Sequence, residues 1–303
     1  MGYNETSCPD REEHAEMADD ARRLKERAAD FLKKGQTRKA IVEFEKLLSL
    51  TPGDSRTLHK LGELWLKEGD RARALDCLLR AAAGYLEEGF AERAVAVLRQ
   101  ALGADPEHQG AHELMVDSLL ARKLEGEAVR HLLGRAAAHA QKGLTSEQKA
   151  ALARAAEIQP EDPDVQLGLA RLAEAAGQPE EARAAWRRAA PALRKAGRMA
   201  AFVEAAEKLV ALGEADAELH LGLAEALLVQ GDFARAIQAL QVPLNARSDD
   251  LGTLGLLARA YHGQGDTGRA VSIYKRMARL ARNQGDAEAE RQAQAHLDEI
   301  RGE

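Results

Sequence analysis

His112 and Glu113 begin the pattern H-E-x-x-H, in which two imidazoles one helical turn apart hold zinc and the carboxylate takes a proton from the bound water. The fifth position is Val116, so the second ligand is missing and the zinc reading fails. His108 and His112 lie four apart with Glu107 and Glu113 beside them, but they straddle an expected helix start, and a metal-free surface pair is the better reading. His131 and His139 fall on a long helix packed on two sides, where an imidazole fills space between neighbours. GQGDTG, at Gly263 to Gly268, satisfies the dinucleotide fingerprint G-x-G-x-x-G, which works only where a strand leads into it. Here the helical stretch LGLLARAYH precedes it, so it reads as a turn between helices and no cofactor is expected. The sequence has no G-x-x-x-x-G-K-[ST] phosphate loop, no G-x-S-x-G and no paired-cysteine metal spacing. Carboxylate pairs such as Glu87-Glu88 and Asp249-Asp250 sit at helix ends and loops, as solvated charge ordinarily does. No catalytic constellation emerges, and the chain is expected not to be an enzyme.

Composition narrows the remaining classes. Of 303 residues, 45% are apolar, 30% charged and only 4% aromatic, and Ala, Leu, Arg and Glu are strong helix formers with little taste for strands. A net charge of −6, with both signs well mixed, does not make the basic face that nucleic acid requires. Cys8 and Cys77 lie far apart, which argues against a disulfide and fits a reducing compartment; Cys77 is expected to be buried and inert. No run of 18 apolar residues exists and the N-terminus lacks a secretion signal's apolar core, so the expectation is a cytoplasmic protein with no membrane insertion. Met1-Gly2 with Thr6 meets a loose acylation pattern, but residues 1–18 read better as a plain, mobile polar arm too poor in apolar side chains to pack.

The elements show themselves through a recurring hexapeptide. GQTRKA begins at Gly35, GDRARA at Gly69, KLEGEA at Lys123, GQPEEA at Gly177, GDFARA at Gly231 and GDTGRA at Gly265, separated by 34, 54, 54, 54 and 34 residues. Glycine ends one helix in the left-handed conformation it adopts without strain. The next residue, Asp70, Asp232 or Asp266 and in the other copies Gln36 or Gln178, is placed to cap the following helix. The closing alanine keeps a close helix contact open. Upstream, Leu58, Leu61 and Trp65 form one apolar stripe with Gly62 on it.

A second set of glycines, Gly89, Gly143, Gly197 and Gly285, stands 20 residues after four of the hexapeptide starts and implies a third helix in those units. The helix from about Arg71 to Glu88 then packs on both sides, and ALDCLLRAAAGYL is interrupted only by Asp76 and Arg80. Pro52, Pro106 and Pro160 close three units 54 apart, while Pro191 and Pro243 fall inside expected helices and predict a kink or an early end. The units are 21–54, 55–108, 109–162, 163–216, 217–250 and 251–303, sixteen helices in all. The unit from 109 is the most eroded, with Val116 and Lys123 where Gly or Ala usually stands. In the last helix, Ala289, Ala293 and Leu297 should face inward and Glu288, Arg291 and Glu299 outward.

The pattern Leu58, Leu61-Gly62, Trp65, Gly69, Ala74, Leu78, Ala81, repeated as Leu24, Ala28, Phe31, Gly35, Ala40, Phe44, Pro52 and as Leu254, Leu257-Ala258, Tyr261, Gly265, Ala270, Tyr274, resembles the tetratricopeptide repeat, a 34-residue helix-turn-helix. The overlap of the template at Leu78, Ala82, Tyr85, Gly89, Ala94 and Leu98 makes the mixture look like bacterial tetratricopeptide scaffolds, some of them associated with motility, polarity or secretion machinery. The resemblance implies an all-α, right-handed α-solenoid of stacked hairpins over 19–303, with extra third helices and no cofactor. It further implies a protein-interaction scaffold that binds a peptide or partner helix on its concave side.

By that resemblance the groove-facing positions are Arg22, Lys25, Ala29, Leu32 and Lys33 in the first hairpin and Arg56, His59, Glu63, Leu66 and Lys67 in the second, followed by Glu113, Asp117, Asp164, Arg171 and Glu174. The groove should therefore be positive near its N-terminal end, drawing an acidic peptide or a C-terminal carboxylate, and more acidic in the middle. Ala29 stands where chaperone-tail clamps of this family carry Asn, which counts against that ligand. The alternative is a chaperone-like carrier shielding an amphipathic segment of a secreted or assembling protein, for which Leu32, Leu66, Leu120 and Leu167 would supply an apolar groove. Oligomeric state has no signature in the sequence.

Overall fold

The computed structural model describes residues 9–302. All regular structure among them is helical, as the composition dictates, in seventeen segments. These are α1 (Pro9–Lys33), α2 (Thr37–Leu50), α3 (Ser55–Glu68), α4 (Arg71–Glu87), α5 (Ala91–Ala104), α6 (Gln109–Ala121), α7 (Glu125–Gln141), α8 (Thr145–Ile158), α9 (Pro163–Ala175), α10 (Pro179–Lys195), α11 (Met199–Ala211), α12 (Ala217–Gln230), α13 (Phe233–Ala239), α14 (Gln241–Ala246), α15 (Leu251–Gly263), α16 (Thr267–Gln284) and α17 (Ala287–Gly302). The chain divides into two compact units, residues 1–132 and 133–303, with the division inside α7.

The hexapeptide does what its residues require. Gly35, Gly69, Gly177, Gly231 and Gly265 all have φ between 66° and 87°. At Gly69 the turn closes with the Gly69 N–H donating to the Leu66 carbonyl and the Asp70 N–H to that of Trp65, the paired bonds that finish a helix on a left-handed residue. The degenerate copy keeps this geometry: Lys123 sits at φ 59° and the same pair of bonds joins Lys123 to Leu120 and Leu124 to Leu119. Asp70, Asp232 and Asp266 each accept a hydrogen bond from the backbone N–H three residues on. Gln36 and Gln178 make no such bond, because the additional methylene carries the amide past the N–H groups that an aspartate reaches. The alanines that close the motif, Ala40, Ala74, Ala128, Ala182, Ala236 and Ala270, are all buried.

In the first unit α4 packs on both α3 and α5, burying Ala74, Cys77, Leu78, Ala81, Ala82 and Tyr85. In the second, α10 lies on α9 and α11, and α16 on α15 and α17. Trp186 of α10 is fully buried at the centre of a core that runs from Leu167 to Ala260. Ala293 and Leu297 are buried and Ala289 half-buried, while Glu288, Arg291 and Glu299 face solvent, as the period of α17 requires. Pro52, Pro106 and Pro160 lie in the loops between α2 and α3, α5 and α6, and α8 and α9.

One boundary moves, and the two internal prolines behave differently. Helix α1 starts at Pro9 rather than near residue 19, a first helical position where proline's missing N–H costs no intrahelical bond. Residues 1–8, with the acylation pattern and Cys8, lie outside the described residues. The early end expected at Pro243 divides one of the sixteen helices into two segments: α13 stops at Ala239, four residues before the proline, and α14 resumes at Gln241. Both Ala239 and Pro243 are buried, so the carbonyl that proline strands has no water to turn to and the helix breaks. Pro191 and Arg187, the equivalent pair in α10, are exposed, and that helix continues to Lys195 without an early end.

Candidate partner-binding surface

The named groove positions fall into two groups once their contacts are followed. On α1, Arg22 pairs with Asp19 at 2.8 Å, Lys33 with Asp30 at 3.8 Å, and Lys25 reaches Asp54, which caps α3, at 3.7 Å. On α3, positions 56, 59, 63 and 67 share one face at helical spacing. Glu63 accepts from Lys60 at 2.8 Å and lies 3.7 Å from His59. Burial pushes the Glu63 carboxyl upward, but Lys60, aided by His59 and Lys67, outweighs it and leaves the group below the ordinary glutamate value. At the two ends of this row Arg56 and Lys67 are exposed and form no ion pair among the described residues.

Farther along, the charges serve the fold. Arg171 grips both oxygens of Glu204 in α11, at 2.7 and 3.0 Å, and that hydrogen bonding raises its pKa. Asp164 is paired with Arg198, the residue before α11, and Glu174 with Lys208, so three ion pairs tie α9 to α11 and its start. Glu113 accepts from Gln109 at 2.8 Å, and Asp117 is exposed. The apolar groove loses two of its four leucines: Leu167 is in the core of the second unit and Leu32 packs on the core of the first. Leucine spacing alone does not tell a groove-facing side chain from one that a neighbouring helix covers.

The histidines resolve one by one. His108 caps α6, its Nδ1 accepting the Ala111 N–H at 3.1 Å. His112 reaches the Pro106 carbonyl through Nε2 at 2.9 Å and His131 of α7 through Nδ1 at 2.9 Å. The bond to a carbonyl fixes the proton on Nε2 of His112, so its Nδ1 accepts from His131 when neutral. Buried His139 bonds Arg135 at 2.8 Å. No group of three or more metal-binding side chains gathers among the described residues. Gly265 of the fingerprint-like segment is the left-handed turn between α15 and α16, and a side chain on Gly263 would strike the Phe233 ring at 2.3 Å; the glycines answer to helix packing. Cys77 is a free, buried thiol whose pKa burial raises, the reverse of nucleophile activation.

Residue spacing carries no trace of a cleft in the first unit. Along α5, Val95, Arg99, Leu102 and Gly103 face a cleft of about 570 Å³. Met115 and Leu119 of α6 form another wall, and Glu127, Arg130 and His131 of α7 the third.

Comparisons with known proteins bear on the helical repeats. Residues 187–250 and 253–288 each match a family described as tetratricopeptide repeat. The first match begins inside α10 and ends before α15. No curated protein matches the chain. Similar solved structures include the TPR2AB-domain:pHSP90 complex of yeast Sti1, at 15% identity over 92% of this chain and 98% of that one, with a TM-score of 0.34. MamA aligns at 14% identity over 67% of this chain and 96% of its own, TM-score 0.31. A tetratricopeptide repeat protein from Parabacteroides merdae aligns at 17% identity over 93% and 99%, TM-score 0.25. No helix among the described residues is long and apolar enough to cross a membrane.

Proposed function

We propose that this chain, with tetratricopeptide repeats at 187–250 and 253–288, is a non-enzymatic scaffold or adaptor that takes a peptide or partner helix on the first-helix face of its N-terminal repeats. The observation that carries the reading is the α3 row, in which exposed Arg56 and Lys67 bracket half-buried His59 and Glu63 with no carboxylate of their own. Unpaired cations about three turns apart on one helix suit carboxylates presented at the same spacing. An acidic segment is therefore the favoured occupant. Apolar clasping has less in its support, since Leu167 and Leu32 are taken up by the cores. Free, buried Cys77 suits a reducing compartment, and we place the work in the cytoplasm.

Immobilised full-length chain tests this. A partner retained by the wild type should be released at about 0.5 M salt, where screening reaches within a few ångströms, and should be lost from the Arg56→Glu/Lys67→Glu variant at low salt. Retention that survives both changes would turn the reading toward apolar clasping.

A further inference from the structure

We propose that the cleft between α5, α6 and the start of α7 is a second binding site, for an apolar side chain presented on a polypeptide with carboxylates on either side of it. The site is separate from the α3 row and does not depend on it. Its floor follows from helix period: Val95 and Leu102 on α5 stand seven residues apart and Met115 and Leu119 on α6 four, so each pair turns its apolar surface to the same space. Gly103 leaves that space open, since a side chain there would meet nothing within 4 Å. The volume, about 570 Å³, is within the ordinary range for a ligand pocket and has room for more than one apolar side chain.

Charge names the occupant. Arg99 on α5 and Arg130 on α7 line the cleft, and both are exposed. Among the described residues neither forms an ion pair, whereas Arg38, Arg80, Arg171, Arg187 and Arg194 are each bound to a carboxylate. Glu127 is the one acid in the lining, so the mouth carries a cationic excess beside apolar walls. Guanidinium groups held by helices on two sides of an apolar floor complement a segment that pairs acids with an apolar anchor.

The probe is fluorescein-labelled Asp-Glu-Leu-Phe-Asp-Glu, titrated with full-length protein and read by anisotropy beside Lys-Lys-Leu-Phe-Lys-Lys and Asp-Glu-Gly-Gly-Asp-Glu. The acidic apolar peptide should bind at least roughly tenfold more tightly than either control. Arg99→Glu/Arg130→Glu should weaken it by a further tenfold or more, of the order expected for two lost charge pairs. Gly103→Leu should also abolish binding by filling the cleft, while leaving the melting temperature unchanged or higher, because leucine is the better helix former. The proposal is overturned if the three peptides bind alike, or if both variants bind as the wild type does. It is overturned as well if binding falls with Arg56→Glu/Lys67→Glu alone, which would put the peptide on α3 and leave the proposed function standing. Loss of all binding in both cleft variants with the α3 variant intact supports it.

Discussion

Between Asp164 and Arg235, basic side chains are tied from helix to helix: Arg171 to Glu204, Arg198 to Asp164, Lys208 to Glu174, Arg194 to Glu225 and Arg235 to Glu207. In the first unit most ion pairs stay within one helix, as with Arg22–Asp19, Lys60–Glu63 and Arg80–Asp76, and among the described residues Arg56, Lys67, Arg99 and Arg130 form no ion pair. The contrast is one of degree: Arg38 is tied to Glu68 and Arg27 to Glu43 across the first unit, while Arg188 and Lys195 in the second are exposed and form no ion pair among the described residues.

The largest way to test the likeness is at the close-contact position. Gly62 in the first unit corresponds to Ala170, Ala224 and Ala258 in the second, all buried. A Cβ on Gly62 would lie 2.6 Å from Leu78, itself fully buried, so Gly62→Ala should destabilise the protein by about 1–3 kcal/mol, measured by chemical denaturation. Ala170→Gly removes no clash and should cost only about 1 kcal/mol of backbone freedom. Equal losses would mean that the two units pack alike at this point.

Lys123 is the left-handed position that glycine occupies in every other copy. Lys123→Gly should raise stability by about 1 kcal/mol; no gain would show that the lysine side chain repays its backbone conformation. At Asp250, which caps α15, the Thr253 hydroxyl and N–H donate to the carboxylate and hold its pKa below the ordinary aspartate value. A group whose folded pKa is depressed contributes stability that is present above its unfolded pKa and lost as pH falls through the folded one. Asp250→Ala should therefore cost about 1 kcal/mol at neutral pH, and the gap from wild type should close in acid. A gap that persists in acid would assign the effect to packing.

The smallest effect sharpens the contrast of charges. A double-mutant cycle on Arg171 and Glu204 should give a coupling of about 0.2–1 kcal/mol that shrinks with salt, since the pair is half exposed. Arg99→Ala, with no partner to lose, should change stability by no more than about 0.5 kcal/mol. Comparable losses would erase the distinction between the regions.

Much of this was legible in advance because it is local or periodic. A glycine stop, an aspartate cap and a small residue lie within six positions, so Gly69, Asp70 and Ala74 could be assigned from spacing alone. Overlapping templates likewise placed α4 between two neighbours. Contacts across the fold were not readable in the same way. His112 meets His131 from a different helix, and the cleft needs faces of three helices at once, none of which is unusual by itself. The α9–α11 pairs did leave a trace: Asp164–Arg198 and Glu174–Lys208 are each 34 residues apart and Arg171–Glu204 is 33. Opposite charges one repeat apart are the signal that would have shown these side chains to be engaged within the fold. The Pro243 break was marked by the proline itself, whereas the continuation of α10 through exposed Pro191 depended on burial that an apolar pattern does not encode.

Arginine footprinting tests the central claim most directly. Full-length protein is treated with phenylglyoxal, with and without the acidic peptide, and modification is read by mass spectrometry at each arginine. Arg56, Arg99 and Arg130 should react readily in the free chain, and those the peptide contacts should be protected, while Arg171, Arg187 and Arg194 should react slowly and equally in both states. Protection confined to Arg171, Arg187 and Arg194, with Arg56, Arg99 and Arg130 unchanged, would contradict the account.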